Sequence, residues 1–187
     1  MGKGEMTEEI DALVIGAGPA GLMAAEVLEQ AGRRVVIAEA EPSPARKLLM
    51  AGKSGLNLTK AEPEAAFLAG YAEAAEWLSP MLTAFGQDGV RTWAEGLGQE
   101  LFTGSSGRVF PRSMKASPLL RAWLGRLTAE MRLRWRWQGF DGTALRFDTP
   151  DGARLLAPRV TVLALGGGSW SRLGSDAAWL PWLAERG

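Results

Sequence analysis

Three features of this chain predict an α/β protein built on a parallel sheet. The first is a short continuous apolar run, Ala12 to Ile15, followed at once by Gly16, Gly18 and Gly21. The second is a βαβ rhythm, in which an alanine-rich helical stripe leads to a β-branched run at Arg34 to Ala38. The third is a late apolar run, Val160 to Leu165, again closed by glycines at Gly166 to Gly168. Continuous apolar runs of this length suit strands covered on both faces, as the strands of a parallel sheet are.

The elements follow in order. Residues 1–9, MGKGEMTEE, are polar and without period, so a disordered leader is expected, with structure beginning near Ile10. Pro19 falls in the first turn of the first helix, where a missing N–H costs little, and Leu22, Ala25, Leu28 and Ala31 give that helix its apolar stripe. Gly32 stops it. From Pro42 to Thr59 two early prolines and late glycines predict a structured loop rather than a regular element.

A largely helical excursion is expected at about 61–130, with helical patterns at Glu62 to Ala75, Gln87 to Leu97 and Ser117 to Glu130, and no third parallel strand. Ser117 and Pro118 serve as N-cap and first helical residue of the last of these. Leu133, Trp135 and Trp137 then alternate with Arg132, Arg134 and Arg136, the period of one half-buried strand. Turns at Asp141-Gly142 and Asp151-Gly152 lead to Leu145 to Asp148 and to Leu155-Leu156, which completes a three-stranded meander. A last helix is expected over Asp176 to Glu185.

Composition removes several classes of function. With 187 residues the chain is long enough for one domain with an insertion. Lysine plus arginine equals aspartate plus glutamate at 21 each, so no overall field draws the chain to nucleic acid or to an anionic membrane. Cysteine and histidine are both absent, which excludes disulfides, thiolate or imidazole metal sites and histidine acid–base catalysis. The lack of cysteine and of a signal peptide core predicts a cytoplasmic protein. No apolar run approaches the roughly 18 residues of a membrane span.

The glycines carry the chemistry. In a strand–turn–helix setting, Gly16 makes the tight turn, Gly18 lets a pyrophosphate approach the backbone, and Gly21 lets the helix pack on the strand. The helix N-terminus then offers free N–H groups and the positive end of its dipole to the phosphates. Glu39 lies about 20 residues on, where a carboxylate accepts the ribose hydroxyls and repels a 2′-phosphate. This is a Rossmann-like FAD/NAD(P)-binding fold, with NADP disfavoured at this turn. An NAD-binding half continues at once with further αβ units, whereas this chain passes through a loop, a helical insertion and a β-meander before its next buried strand. That layout favours FAD.

Four stretches together extend the reading: IGAGPAGLMAA at Ile15 to Ala25, RKLLMAGKSGLNLT at Arg46 to Thr59, GRVFPRSMKAS at Gly107 to Ser117, and VLALGGGSWSRLGS at Val162 to Ser175. In these the chain resembles the N-terminal part of bacterial FAD-dependent flavoproteins of the aminoacetone oxidase family, relatives of a flavin reductase of bile-acid intermediates. The resemblance implies an FAD-dependent oxidoreductase acting on a small-molecule substrate, with NADH or NADPH as a transient electron donor because no second glycine fingerprint is present. It assigns Gly16, Ala17, Gly18, Pro19, Ala20, Gly21, Glu39 and Ala40 to the dinucleotide. It puts Arg46 and Lys47 near the pyrophosphate, Gly52 and Asn57 near the flavin ring, and Ala164 and Gly166 where the chain crosses the dinucleotide. Arg108 and Lys115 become candidates for the substrate side. No catalytic residue is assigned. The chain departs from the family at Gly55-Leu56-Asn57, where arginine-cysteine-asparagine is common, and at Ala164-Leu165-Gly166, where alanine-threonine-glycine is common. A thiol and a hydroxyl are therefore missing.

Two alternatives stand beside the enzyme. One is a non-catalytic flavin-binding module, or an FAD protein connected with RNA modification. The other reads Arg132 to Trp137 as a nucleic-acid surface, but strand alternation puts its tryptophans and arginines on opposite faces, so no nucleic-acid partner is expected. The remaining tryptophans, Trp179 and Trp182 included, are expected in the core or at contacts with a further segment rather than against a flavin. The ending AERG matches the close of the first helix, where a strand follows, so the chain is expected to be the N-terminal part of a longer protein.

Overall fold

The computed structural model describes residues 7–186. The chain divides into two compact units, one made of the residues up to Leu48 and from Leu127 onward, the other of Leu49–Arg126.

In the first unit, β1 (Thr7–Ile15) turns through the glycines into α1 (Pro19–Gln30) and returns as β2 (Val35–Glu39). Gly18 is the N-cap of α1 and Pro19 opens it, as expected. Gly32, left-handed at φ +76°, ends it with its N–H on the Glu29 carbonyl at 2.8 Å. β1 starts at Thr7, so Thr7 to Glu9 belong to the sheet, in register with Leu155 to Ala157, rather than to a leader. The rest of the expected leader lies outside the described residues. A short helix, α2 (Arg46–Ala51), occupies the stretch expected to be loop and crosses the boundary between the units.

The second unit contains β3 (Thr59–Lys60), α3 (Glu64–Ala69), a 3-10 turn (Ala72–Ala74), α4 (Ala75–Ala84), α5 (Gln87–Gly96), β4 (Leu101–Thr103), β5 (Arg108–Pro111) and α6 (Ala116–Arg126). Helix was expected where α3, α5 and α6 lie, but not at α4, which carries Pro80 inside it; α6 starts at Ala116, so Ser117 falls in its first turn rather than at its N-cap. The antiparallel sheet in the order β3-β5-β4 was not expected, because strands of two to four residues leave too little period to read. Val109 and Pro111 face its core, while Phe102 and Phe110 stack across β4 and β5 with centroids 5.7 Å apart.

The chain re-enters the first unit with β6 (Glu130–Leu133), β7 (Arg136–Asp141), β8 (Ala144–Thr149) and β9 (Gly152–Leu163), then a 3-10 turn (Ser171–Leu173) and α7 (Leu180–Ala184). The six-stranded sheet has the order β6-β2-β1-β9-β8-β7. β6, β2, β1 and β9 are mutually parallel, and β7, β8 and the start of β9 form the antiparallel meander. This is the α/β parallel-sheet class that the sequence predicts.

Two strand assignments change. The alternating Arg–Trp stretch is not one strand, because Arg134 has φ +61° and breaks it. Its first part, β6, pairs in parallel with β2 and supplies the third parallel strand; its second part starts the meander. Conversely, the two expected strands Leu155-Leu156 and Val160–Leu165 are one 12-residue strand, β9, whose first half pairs with β8. β8 pairs no further than Leu156, and beyond it Val160 and Leu163 are 43% and 37% exposed rather than covered on both faces.

The core follows the apolar runs. Leu13, Val14, Ile37, Phe147 and Leu156 are fully buried. Trp137 and Leu145 join Leu13, Ile15 and Phe147 in one cluster, with Trp179, Trp182 and Leu183 packed against it. Among the described residues no helix is long and apolar enough to cross a membrane.

Candidate dinucleotide site

The strand order locates the site. From β1 the chain moves to β2 and β6 on one side and to β9 on the other, so the direction of winding reverses between β1 and β9. In open α/β sheets the crevice at the carboxyl ends of strands flanking such a reversal is where ligands bind. A cavity of about 810 Å³ opens there, inside the first unit and within the size range of small-molecule and cofactor sites.

The three glycines divide the work as their spacing implies. Gly16 has φ +104°, accepted at no cost only by glycine, and its N–H donates to the Ala38 carbonyl at 2.8 Å. A Cβ there would stand 2.3 Å from the Ala164 oxygen, and a Cβ on Gly21 would stand 1.8 Å from the Gly16 oxygen and 3.3 Å from Ala164 Cβ. Gly16, Gly21 and Ala164 thus form one close crossing of β1, α1 and β9. Gly18 differs: a Cβ on it would meet no protein atom within 4 Å, yet it lines the cavity. Protein packing gives no reason for a glycine at 18, whereas a ligand lying against the backbone does.

The N-terminus of α1 is open to such a ligand. No side chain caps it, Pro19 carries no N–H, and the first-turn N–H groups of Ala20 and Gly21 have no acceptor within the helix. Gly18, Pro19 and Ala20 all line the cavity. A diphosphate fits this donor set, and its charge fits the dipole.

Glu39 sits at the carboxyl end of β2 and lines the cavity with Ala40. One of its carboxylate oxygens accepts the Ala17 N–H at 2.7 Å and the other accepts the Glu41 N–H at 2.9 Å. The carboxylate therefore also braces the turn. Each of its oxygens keeps a lone pair for a ribose hydroxyl.

Arg46, Lys47, Ala164 and Gly166 reach the same cavity. Arg46 pairs with Glu41, whose other oxygen accepts from Arg136 at 3.3 Å. Lys47 Nζ donates to the carbonyls of Gly167 at 2.7 Å and Ser175 at 3.1 Å. Asp176 completes the rim, its carboxyl held below the usual range first by the Ala178 N–H and then by its own.

Gly52, Asn57, Arg108 and Lys115 are not among the residues lining this cavity. Gly52 and Asn57 belong to the second unit. Gly52 is buried against the start of α6, where its Cβ would stand 2.6 Å from Ala116 Cβ, and Asn57 lines a separate cavity of about 400 Å³ with Tyr71 and Phe85. Arg108 and Lys115 are exposed residues of the same unit. Ala17 is fully buried and acts through its N–H to Glu39.

The sequence reading missed one wall. Trp135, Trp137, Trp179 and Trp182 line the cavity, together with Glu41 and Arg136. Trp182 meets Trp137 edge to face at 5.1 Å, which docks α7 on the meander, one of the two places expected for that tryptophan. No signal along the chain joins positions that far apart.

The geometry agrees with the comparisons. The model of the family described as HI0933-like protein Rossmann domain matches residues 10–187. The chain belongs to this family. Over 52 residues, this HI0933-like chain is 44% identical to the "Ribosomal RNA dihydrouridine synthase" of Escherichia coli, a match covering 28% of the chain and 13% of that relative. Its fold is similar to an E. coli quinol fumarate reductase, with a TM-score of 0.63 and 15% identity over 87% of this chain and 34% of the other. Thermovibrio ammonificans THI4 is similar at 0.57 and 15%, with coverages of 95% and 62%. A 3-ketosteroid-delta4-(5alpha)-dehydrogenase from Rhodococcus jostii is similar at 0.55 and 15%, with coverages of 88% and 47%. At these identities the likeness is one of fold. The HI0933-like chain spans less than two thirds of each of these proteins.

Proposed function

We propose that this domain binds FAD across the Gly16–Gly21 turn and serves an FAD-dependent oxidoreductase acting on a small-molecule substrate in the cytoplasm. The observation that carries the reading is the open position at Gly18, glycine without any packing reason and facing the cavity at the winding reversal. The α1 N-terminus would hold the pyrophosphate and Glu39 the adenosine ribose. Arg46 lies on the same rim, where its guanidinium adds positive charge for the phosphates. The apolar wall of Trp135, Trp137 and Leu165 excludes water from one side of the cavity. When bound, FAD supplies the hydride or electron transfer, and the protein supplies binding and orientation. NADH or NADPH would dock transiently as donor. The finer kinship with the aminoacetone oxidase group belongs to this proposal and rests on the four motifs.

The test is chemical identification of the nucleotide released from the denatured protein, followed by anaerobic titration with NADH and NADPH. Release of FAD and bleaching by a nicotinamide donor support the reading. A flavin-free protein that cannot be reconstituted with FAD but binds NAD tightly overturns it.

A second reading, action on RNA, is favoured by the 44% local identity to the ribosomal RNA dihydrouridine synthase. On that reading the substrate is a base in RNA. Dihydrouridine formed in ribosomal RNA by the reduced protein would select it; turnover with small carbonyl or amine compounds and none with RNA would select the first.

A further inference from the structure

Lys47 is the residue whose observed contacts depart furthest from its expected role. Instead of pointing bare into the cavity, its ammonium donates to two carbonyls eight residues apart, Gly167 at 2.7 Å and Ser175 at 3.1 Å. We infer that Lys47 is a positioning residue: it ties together the two ends of the segment Gly166–Ser175 and so holds that segment as a closed strap along the cavity.

The strap has the form of a compact loop with its ends drawn together, the arrangement of an Ω-loop. It runs from Gly166 (φ +70°) through Trp170, left-handed at φ +53°, and the 3-10 turn Ser171–Leu173 to Ser175. Gly166, Gly167, Leu173, Gly174 and Ser175 all line the cavity, so the strap is part of its wall. Within it, Ser175 Oγ donates to the Gly166 carbonyl at 3.3 Å, a long neutral bond across its two ends. The 3-10 turn holds the tip, and the residues from Gly166 to Arg172 are exposed. That internal bond is weak, so closure depends mainly on fasteners from outside.

Three are present. Lys47 joins the ends, as described. Trp179 Nε1 donates to the Gly166 carbonyl at 3.1 Å and to Ser175 Oγ at 3.2 Å, a staple at the same two ends from the α7 side. Arg46 Nη2 reaches the Arg172 carbonyl at 3.5 Å, at the marginal limit of a hydrogen bond. Lys47 is the only charged fastener with two contacts. Charge-assisted hydrogen bonds are roughly twice as strong as neutral ones, so its removal should open the strap most. Two of its three N–H donors are committed to carbonyls, which separates its role from that of a direct phosphate ligand. For the cofactor the inference rests on the FAD reading above; for the strap it does not.

The experiment uses limited trypsin digestion of the full chain, because Arg172 lies exposed in the strap and reports its opening. K47M should speed cleavage after Arg172 by about tenfold or more while cleavage at sites in the second unit keeps its rate. K47R, which keeps a cationic donor, should restore much of the protection. W179F keeps the ring and removes the N–H, and should speed the same cleavage by a smaller factor, which provides a test should K47M fail to fold. In the FAD complex, K47M should raise the FAD dissociation rate while ADP affinity changes less than about threefold. Unchanged cleavage after Arg172 in both K47M and W179F overturns the strap. Unchanged cleavage in K47M with a large loss of ADP affinity also overturns it and returns Lys47 to the phosphate. If the parent protein binds no FAD, the proposed function fails, but the proteolysis result still decides the strap.

Discussion

The Cα of Gly16 lies so close to the Ala164 carbonyl that a Cβ built on it would stand 2.3 Å from the oxygen. That contact joins the end of β1 to the end of β9, and Gly21 seals it from the helix side. Replacing Gly16 by alanine forces both a positive φ and a backbone clash. The expected cost is about 2–3 kcal/mol, read as a fall in melting temperature of roughly 5–10 °C by differential scanning calorimetry. Gly21→Ala should behave alike, since neither clash can be relieved by moving a side chain. A Gly16→Ala protein as stable as the parent would mean that the crossing of β1 and β9 is looser than described.

Glu39 should show two effects in one variant. It accepts the N–H groups of Ala17 and Glu41, and it faces the cavity. Glu39→Ala removes both bonds, each worth about 1.5–3 kcal/mol when the acceptor is charged. Lower melting temperature is therefore expected even without ligand, together with a loss of ADP affinity of about one to two orders of magnitude. Glu39→Gln keeps an acceptor and should recover part of the stability but little of the affinity. Unchanged ADP binding in Glu39→Gln would leave the residue a brace for the turn and nothing more.

Acid should weaken the sheet at a defined place. Arg132 on β6 holds Glu8, at the start of β1, with two hydrogen bonds, 2.8 and 2.7 Å. The hydrogen bond from Arg132 holds the Glu8 carboxyl below its usual value, against a smaller opposing effect of burial. A depressed carboxylate stabilises the fold above its unfolded-state pKa, and that stability is lost as the pH falls through the lower, folded value. Because Glu8 is half-exposed, the contribution is at most about 1 kcal/mol. Glu8→Gln should melt slightly below the parent at pH 7 and level with it once the pH has fallen below the lowered, folded-state value. A gap that persists unchanged into acid would show that the pair contributes through packing rather than charge.

The meander should prove integral to the parallel sheet. Phe147 on β8 is fully buried in the cluster that includes Leu13 and Ile15 of β1. Phe147→Ala is expected to cost about 3–5 kcal/mol, measured as a shift in the urea midpoint of the whole transition. A separate early transition of the meander, leaving the parallel strands folded, would contradict a shared core.

What could be read in the chain was what the chain decides locally. The β1–turn–α1–β2 unit was legible because the positive φ of Gly16, the N1 place of Pro19 and the left-handed stop at Gly32 are local to the chain. The helices at Gln87 and Ser117 were legible for the same reason. β6 was not, because a single backbone angle at Arg134 divides an otherwise regular alternation, and nothing in the side chains marks it. β9 was read as two strands because Pro158 and Arg159 interrupt its apolar pattern, although the strand continues through them in register with β1. In the site, the glycines and Glu39 were legible from spacing. The tryptophan wall and the Lys47 contacts were not, since they bring residues before 48 together with residues after 134.

The central claim is that a dinucleotide lies on the backbone at Gly18, and Gly18→Ala tests it most directly. Its φ of −76° suits alanine, and the added methyl meets no protein atom within 4 Å, so folding should not suffer. Melting temperature and ADP affinity should be measured side by side, by calorimetry and isothermal titration, in the parent and the variant. The account predicts a melting temperature unchanged to within about 2 °C and an affinity for ADP lower by about tenfold or more. Equal ADP affinity in the two proteins would contradict it, because the space before Gly18 would then hold no phosphate.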